Sequence, residues 1–157
     1  TVCMKQLIYL LLFLPLVTQA QKNITVDDFT TKNVFISKTV GGINWMQNGQ
    51  FYTSINNNKI IQYNISTGLP TDTLVDGNAL KPALQIDDYN FSADEKKILI
   101  LTNTEQIYRW SFRAEYFVYD INTKSTKALS SNGKQSYATF SPDGSKIAFV
   151  RNNNLFY

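Results

Sequence analysis

From Gly41 onward the chain alternates short apolar runs with compact polar turns, the pattern of half-buried strands joined by hairpins. Phe91-Ser92-Ala93-Asp94-Glu95-Lys96-Lys97-Ile98-Leu99-Ile100 returns 49 positions later as Phe140-Ser141-Pro142-Asp143-Gly144-Ser145-Lys146-Ile147-Ala148-Phe149-Val150. Each copy holds an aromatic residue, a tight polar turn and a β-rich apolar exit. A degenerate third copy comes earlier: Ile43-Asn44-Trp45, the turn Gln47-Asn48-Gly49, then Gln50 to Ile55, with Trp45 standing 46 positions before Phe91. Hairpins repeating every 40 to 50 residues or so are the signature of β-propeller blades.

The units continue in step. Lys59-Ile60-Ile61-Gln62-Tyr63-Asn64-Ile65 leads to the turn Ser66-Thr67-Gly68, and Tyr116-Phe117-Val118-Tyr119-Asp120-Ile121 leads to Asn122-Thr123-Lys124. Thr71 to Val75 and Ser125 to Leu129 then read as outer strands. Arg151 to Asn154 reads as a turn and Leu155-Phe156-Tyr157 as the start of a strand. The expected fold is therefore all-β, an incomplete β-propeller of about two blades plus the start of a third. In the Ser-Pro-Asp-Gly turn, Pro142 presets φ, Asp143 can accept from nearby backbone N–H groups, and Gly144 takes the positive φ that closes the hairpin. This chemistry fixes architecture and says little about function.

The start of the chain has another character. Lys5, the apolar stretch from Leu7 to Val17, and Thr18-Gln19-Ala20 match a secretory signal peptide cleaved near Ala20. The apolar stretch is too short for the ~20 residues of a membrane-spanning helix. The expected domains are a signal peptide at 1–20, an N-terminal arm at 21–40 and the truncated propeller at 41–157, exported to a periplasmic or extracellular space. Within the arm, Thr25 precedes Val26-Asp27-Asp28-Phe29, and the two carboxylates suit the first turn of a short helix better than a metal site.

Composition narrows the chemistry. The sequence has no histidine, and its single cysteine, Cys3, lies in the leader. No Ser-His-Asp or Cys-His pair can be built from these residues, nor an imidazole zinc site, and the expected set of catalytic residues, metals and cofactors is empty. The net charge of +3 comes from scattered lysines rather than a stripe, which argues against a nucleic-acid partner.

The segment from Gln106 to Asp120 departs from the blade pattern. With period 2, Tyr108, Trp110 and Phe112 share one face, and Arg109, Ser111 and Arg113 the other. Aromatic area beside cationic side chains allows packing under a fixed guanidinium. A plain amphipathic strand with its arginines in water is the simpler reading, and base stacking a weaker third.

Tyr108-Arg109-Trp110-Ser111 leading to Ala114-Glu115-Tyr116-Phe117-Val118-Tyr119-Asp120 resembles the N-terminal propeller region of the dipeptidyl peptidase IV family, exported serine exopeptidases of the prolyl oligopeptidase group. The likeness runs from Ile24-Thr25-Val26-Asp27-Asp28-Phe29 through Gly42-Ile43-Asn44-Trp45 to Phe140-Ser141-Pro142-Asp143-Gly144. It implies that Arg109 is a substrate-binding residue, contacting a carbonyl of the bound peptide near its N-terminus. Trp110 stands where the family often has histidine. The resemblance further implies peptide substrates with a free N-terminus, Pro or Ala before the cut, and a C-terminal α/β-hydrolase domain supplying the triad. The Glu pair that grips the substrate's amino group would lie beyond Tyr157, and a homodimer is a further possible partner arrangement. The alternative is a non-catalytic propeller of Tol or WD-like type, serving as a periplasmic binding or scaffold module.

Overall fold

The computed structural model describes residues 24–32, 35 and 42–157. The expected signal peptide, residues 1–20, lies outside the described residues. The chain divides into two compact units, residues 1–39 and 40–157.

Among the described residues of the first unit a short helix, α1 (Val26–Thr30), follows Thr25. Its third residue, Asp28, accepts from the Thr25 backbone N–H at 2.9 Å and from the Thr25 hydroxyl at 3.0 Å. Lys32 Nζ donates to the other carboxylate oxygen at 3.1 Å. These bonds, the Thr25 backbone N–H foremost, hold the Asp28 carboxyl below the ordinary Asp range. The early carboxylates thus act in capping, as the helix dipole favours.

The second unit is three antiparallel sheets. The first contains β1 (Asn44–Trp45), β2 (Phe51–Asn56), β3 (Lys59–Asn64) and β4 (Pro70–Asp76) in that order. The second contains β5 (Asp88–Phe91), β6 (Lys97–Tyr108), β7 (Ser111–Asp120) and β8 (Ser125–Ala128), again in sequence order. The third is built from β9 (Ser136–Phe140), β10 (Ile147–Arg151) and β11 (Asn154–Phe156). Sequential antiparallel four-stranded sheets arranged in this way are propeller blades, two whole and one partial. The outer strands β4 and β8 fall where the apolar pattern put them. Among the described residues no helix is long and apolar enough to cross a membrane.

The repeated turns are superimposable in their bonding. Ser92 N donates to Lys97 O at 2.9 Å, and Ser141 N to Lys146 O at 2.9 Å. Ser92 Oγ donates to Asp94 Oδ1 at 2.7 Å, and Ser141 Oγ to Asp143 Oδ1 at 2.5 Å. In the degenerate copy Met46 N donates to Phe51 O at 3.1 Å. The left-handed position is filled by Gly49 (φ 66), Glu95 (φ 54) and Gly144 (φ 67). Adjacent turns also touch: Gln47 N donates to Glu95 Oε1 at 2.7 Å, and Lys97 Nζ to Gly144 O at 3.3 Å. The motif repeats because each turn both closes its own hairpin and braces the next.

Burial shows why the middle sheet anchors the unit. Strand β6 sends Ile98 and Ile100 into a core with Ile60, Val75, Ile86, Tyr89 and Tyr119, while Leu99 and Leu101 enter a second core with Ala114 and Tyr116. Period-2 alternation normally places polar residues on one face; here both faces are covered by neighbouring blades, so the strand is apolar from Ile98 to Leu101. Tyr89 ties the first two sheets, its hydroxyl donating to Thr53 Oγ1 at 2.7 Å.

Candidate functional site

The second hairpin of each blade has the same place in the repeat and a different length. In the first sheet β2 and β3, six residues each, close on Asn57-Asn58 (φ 49 and 61). In the third, β10 and β11 of five and three residues close on Asn152-Asn153 (φ 50 and 61). Such positive-φ pairs match the right-handed twist of the flanking strands. In the second sheet β6 and β7 run to twelve and ten residues, and the turn is Arg109-Trp110. The extra length stands clear of the core as an arm: residues 103 to 110 are all exposed.

This corrects the period-2 reading of the segment. Tyr108 pairs with Ser111 across a turn, so Tyr108, Trp110 and Phe112 do not share a strand face. Neither turn residue has positive φ, and hence nothing in the residue types announced a reversal. The two arginines separate. Arg113 faces its cross-strand partner Glu105, with Nη2 to Oε1 at 2.6 Å. Arg109 is exposed at the tip and makes no hydrogen bond or ion pair with another described residue. Tyr108 (79% exposed) and Trp110 (87%) flank it.

The base of the arm is a bulge. Register shifts between Thr102 and Glu105, and Asn103 takes φ 52. Side chains from three segments fill it. Thr104 N donates to Asp87 Oδ2 at 2.9 Å, and Asn103 Nδ2 to Glu115 Oε1 at 3.2 Å. Lys134 Nζ reaches Asn103 Oδ1 at 3.3 Å and Glu105 Oε2 at 3.4 Å. The Arg113 hydrogen bond is the main reason the Glu105 carboxyl sits below the ordinary Glu range, with Lys134 adding to it; the same pair raises Arg113. Nothing local in the sequence marks these contacts, since Glu105 and Lys134 are 29 positions apart.

A permanently charged guanidinium with five N–H donors, exposed at a turn whose neighbouring residues are Tyr108 and Trp110, suits a carbonyl or carboxylate ligand. A cleft of about 750 Å³ lies elsewhere, between the second and third sheets beside Val118, Leu129, Phe140, Ile147 and Phe149. Four of those five residues pack against the second core, so the cleft belongs to blade packing.

Comparison with known proteins fits this geometry. Residues 92–157 match the family described as the dipeptidyl peptidase IV N-terminal region. The chain is 40% identical over 85 residues to a probable dipeptidyl-aminopeptidase B of Emericella nidulans, covering 52% of this chain and 9% of that protein. It is 34% identical over 122 residues to a probable dipeptidyl peptidase 4 of Arthroderma benhamiae, covering 76% of this chain and 15% of that one. The crystal structure of Porphyromonas gingivalis dipeptidyl peptidase 4 superimposes with a TM-score of 0.77 at 37% identity, over 86% of this chain and 20% of the other. The chain thus spans a fifth or less of the lengths of these relatives. With the bladed fold and the elongated middle hairpin, these matches identify it as an N-terminal propeller portion of the dipeptidyl peptidase IV family.

Proposed function

We propose that this region serves an exported serine dipeptidyl peptidase that removes N-terminal dipeptides, with Pro or Ala before the cut, from peptides with a free amino terminus. The propeller restricts access to the reaction chamber, and Arg109 donates to a carbonyl of the bound peptide near its N-terminus. The triad comes from an α/β-hydrolase domain further along the same protein, where serine attacks the carbonyl and backbone donors stabilise the oxyanion. The observation that carries this reading is the middle hairpin: its strands run to twelve and ten residues against six and six in the first sheet, and its tip holds an arginine with no partner among the described residues.

The family relation supports the reaction class, and the absence of histidine from this chain assigns the chemistry to other residues. The test is to incubate the complete protein with Ala-Pro- and Gly-Pro-started peptides, free or N-acetylated, and identify products by mass. Dipeptide release from the free peptides alone is expected. Cleavage of both forms alike would remove the amino-terminal requirement, and no cleavage would favour a scaffold propeller. Residues 21–157 alone are expected to be inactive in the same assay. Sequencing the mature N-terminus checks export, with Gln21 the expected first residue.

A further inference from the structure

The arm that carries Arg109 has no core of its own. Beyond Thr102 every side chain to the turn is exposed, and the strand pivots at a bulge on Asn103. A bulge re-aims the chain that follows it, so whatever fixes the bulge fixes where the tip points. We infer that Glu105 is a positioning residue, clamped between Arg113 and Lys134 so that the arm holds Arg109 toward the substrate. This rests on the role proposed above for Arg109.

Both carboxylate oxygens of Glu105 are engaged, and by different blades. Oε1 accepts from Arg113 on β7, within the second sheet, and Oε2 faces Lys134, which precedes β9 of the third. Lys134 is itself held in place. Its neighbour Gln135 exchanges two backbone hydrogen bonds with Ala114 at 2.8 and 2.9 Å, and Ser136 Oγ donates to Phe112 O at 2.9 Å. Lys134 also bonds Asn103, the pivot residue, from the same ammonium group. On the opposite side Asp87 takes the Thr104 N–H. The bulge is thus gripped from β7, from the segment before β5 and from the segment before β9.

Solvent-exposed ion pairs of this kind add little to stability. Their consequence is geometric: a displaced tip misaligns the Arg109 donor and weakens its hydrogen bond to the bound carbonyl. A positioning role therefore leaves the melting temperature in place and alters substrate binding through Arg109.

The experiment compares the complete peptidase with its Glu105→Gln, Lys134→Met, Arg109→Ala and Arg109→Ala/Glu105→Gln variants on Ala-Pro p-nitroanilide. Glu105→Gln and Lys134→Met are each expected to raise KM about 3- to 10-fold, as for a weakened hydrogen bond, with kcat and Tm retained. Added salt should raise KM in the parent and do so less in Glu105→Gln. In the Arg109→Ala background, Glu105→Gln should change nothing further. If Arg109→Ala itself leaves kcat and KM unaltered, the role of Arg109 fails and this inference with it. If Arg109→Ala raises KM while Glu105→Gln and Lys134→Met do not, the role of Arg109 stands and the clamp is overturned. An equal Glu105→Gln effect with and without Arg109 would also overturn it, because the carboxylate would then act by another route.

Discussion

The β2–β3 and β6–β7 hairpins occupy equivalent places in successive blades and are put to opposite uses. The tip of the first is tied inward. Asn58 Nδ2 donates to Leu84 O at 2.9 Å and its Oδ1 accepts from Ile86 N at 2.8 Å, so the turn pins the segment that leads to the next blade. Gly77 lies so close beneath it that a Cβ would come within 2.5 Å of Leu84 O. The tip of the second is free, and the strands behind it are lengthened to carry it beyond the core. A repeat scaffold thus extends one hairpin beyond the core while the equivalent hairpin in the first sheet goes on holding neighbouring blades together.

The largest effect should come from the root of β6, the part both hairpins depend on. Ile100 is fully buried in the core between the first two sheets, and Ile100→Ala should cost about 2–5 kcal/mol. Ile107→Ala on the exposed half of the same strand should stay within about 0.5 kcal/mol. Urea unfolding of the complete protein measures both; equal costs would show that the arm is as buried as the root. Next comes the tied tip. Asn58→Ala replaces a residue that tolerates the left-handed region with one that does not, at φ 61, and strands the Ile86 N–H, a loss of roughly 2–4 kcal/mol. Trp110→Ala at the free tip should leave stability nearly unchanged, and a large drop would mean that the tip is packed.

Smaller effects separate the repeated turns. Gly144→Ala has room, with the nearest atom 3.5 Å away, but keeps φ 67, so it should cost about 1 kcal/mol. The Asp143 carboxyl is lowered to about 2, first by the Ser141 hydroxyl and then by the Ser145 backbone and hydroxyl. A carboxyl depressed in the folded state stabilises it above the unfolded pKa and loses that contribution as pH falls through the folded one. Stability of the parent should therefore fall between about pH 4 and pH 2 more steeply than that of Asp143→Asn, as followed by acid unfolding. Parallel curves would mean that the turn bonds survive protonation.

The sequence and the structure agree where local chemistry is demanding. A left-handed turn position favours Gly, and Gly144 announced its own; Glu95 takes the same φ with no such signal in its residue type. The apolar run from Ile98 to Leu101 gave the strand, and its lack of alternation is explained by cover on both faces. The turn at Arg109-Trp110 was illegible because its residues need no special φ and the aromatic alternation runs straight across it. Arg109 itself was picked out by family likeness, since an exposed arginine has no local mark of purpose. The contacts of Glu105 with Lys134, and of Thr104 with Asp87, join segments distant in sequence and follow from blade placement alone.

The central claim is that the long hairpin exists to present Arg109 to the substrate. Steady-state kinetics of Arg109→Ala in the complete peptidase, on a free dipeptidyl substrate, test it most directly. Loss of a charged hydrogen bond to a bound carbonyl predicts a fall in kcat/KM of roughly 10- to 150-fold, at unchanged Tm. A variant with the parent's kcat and KM would contradict the account.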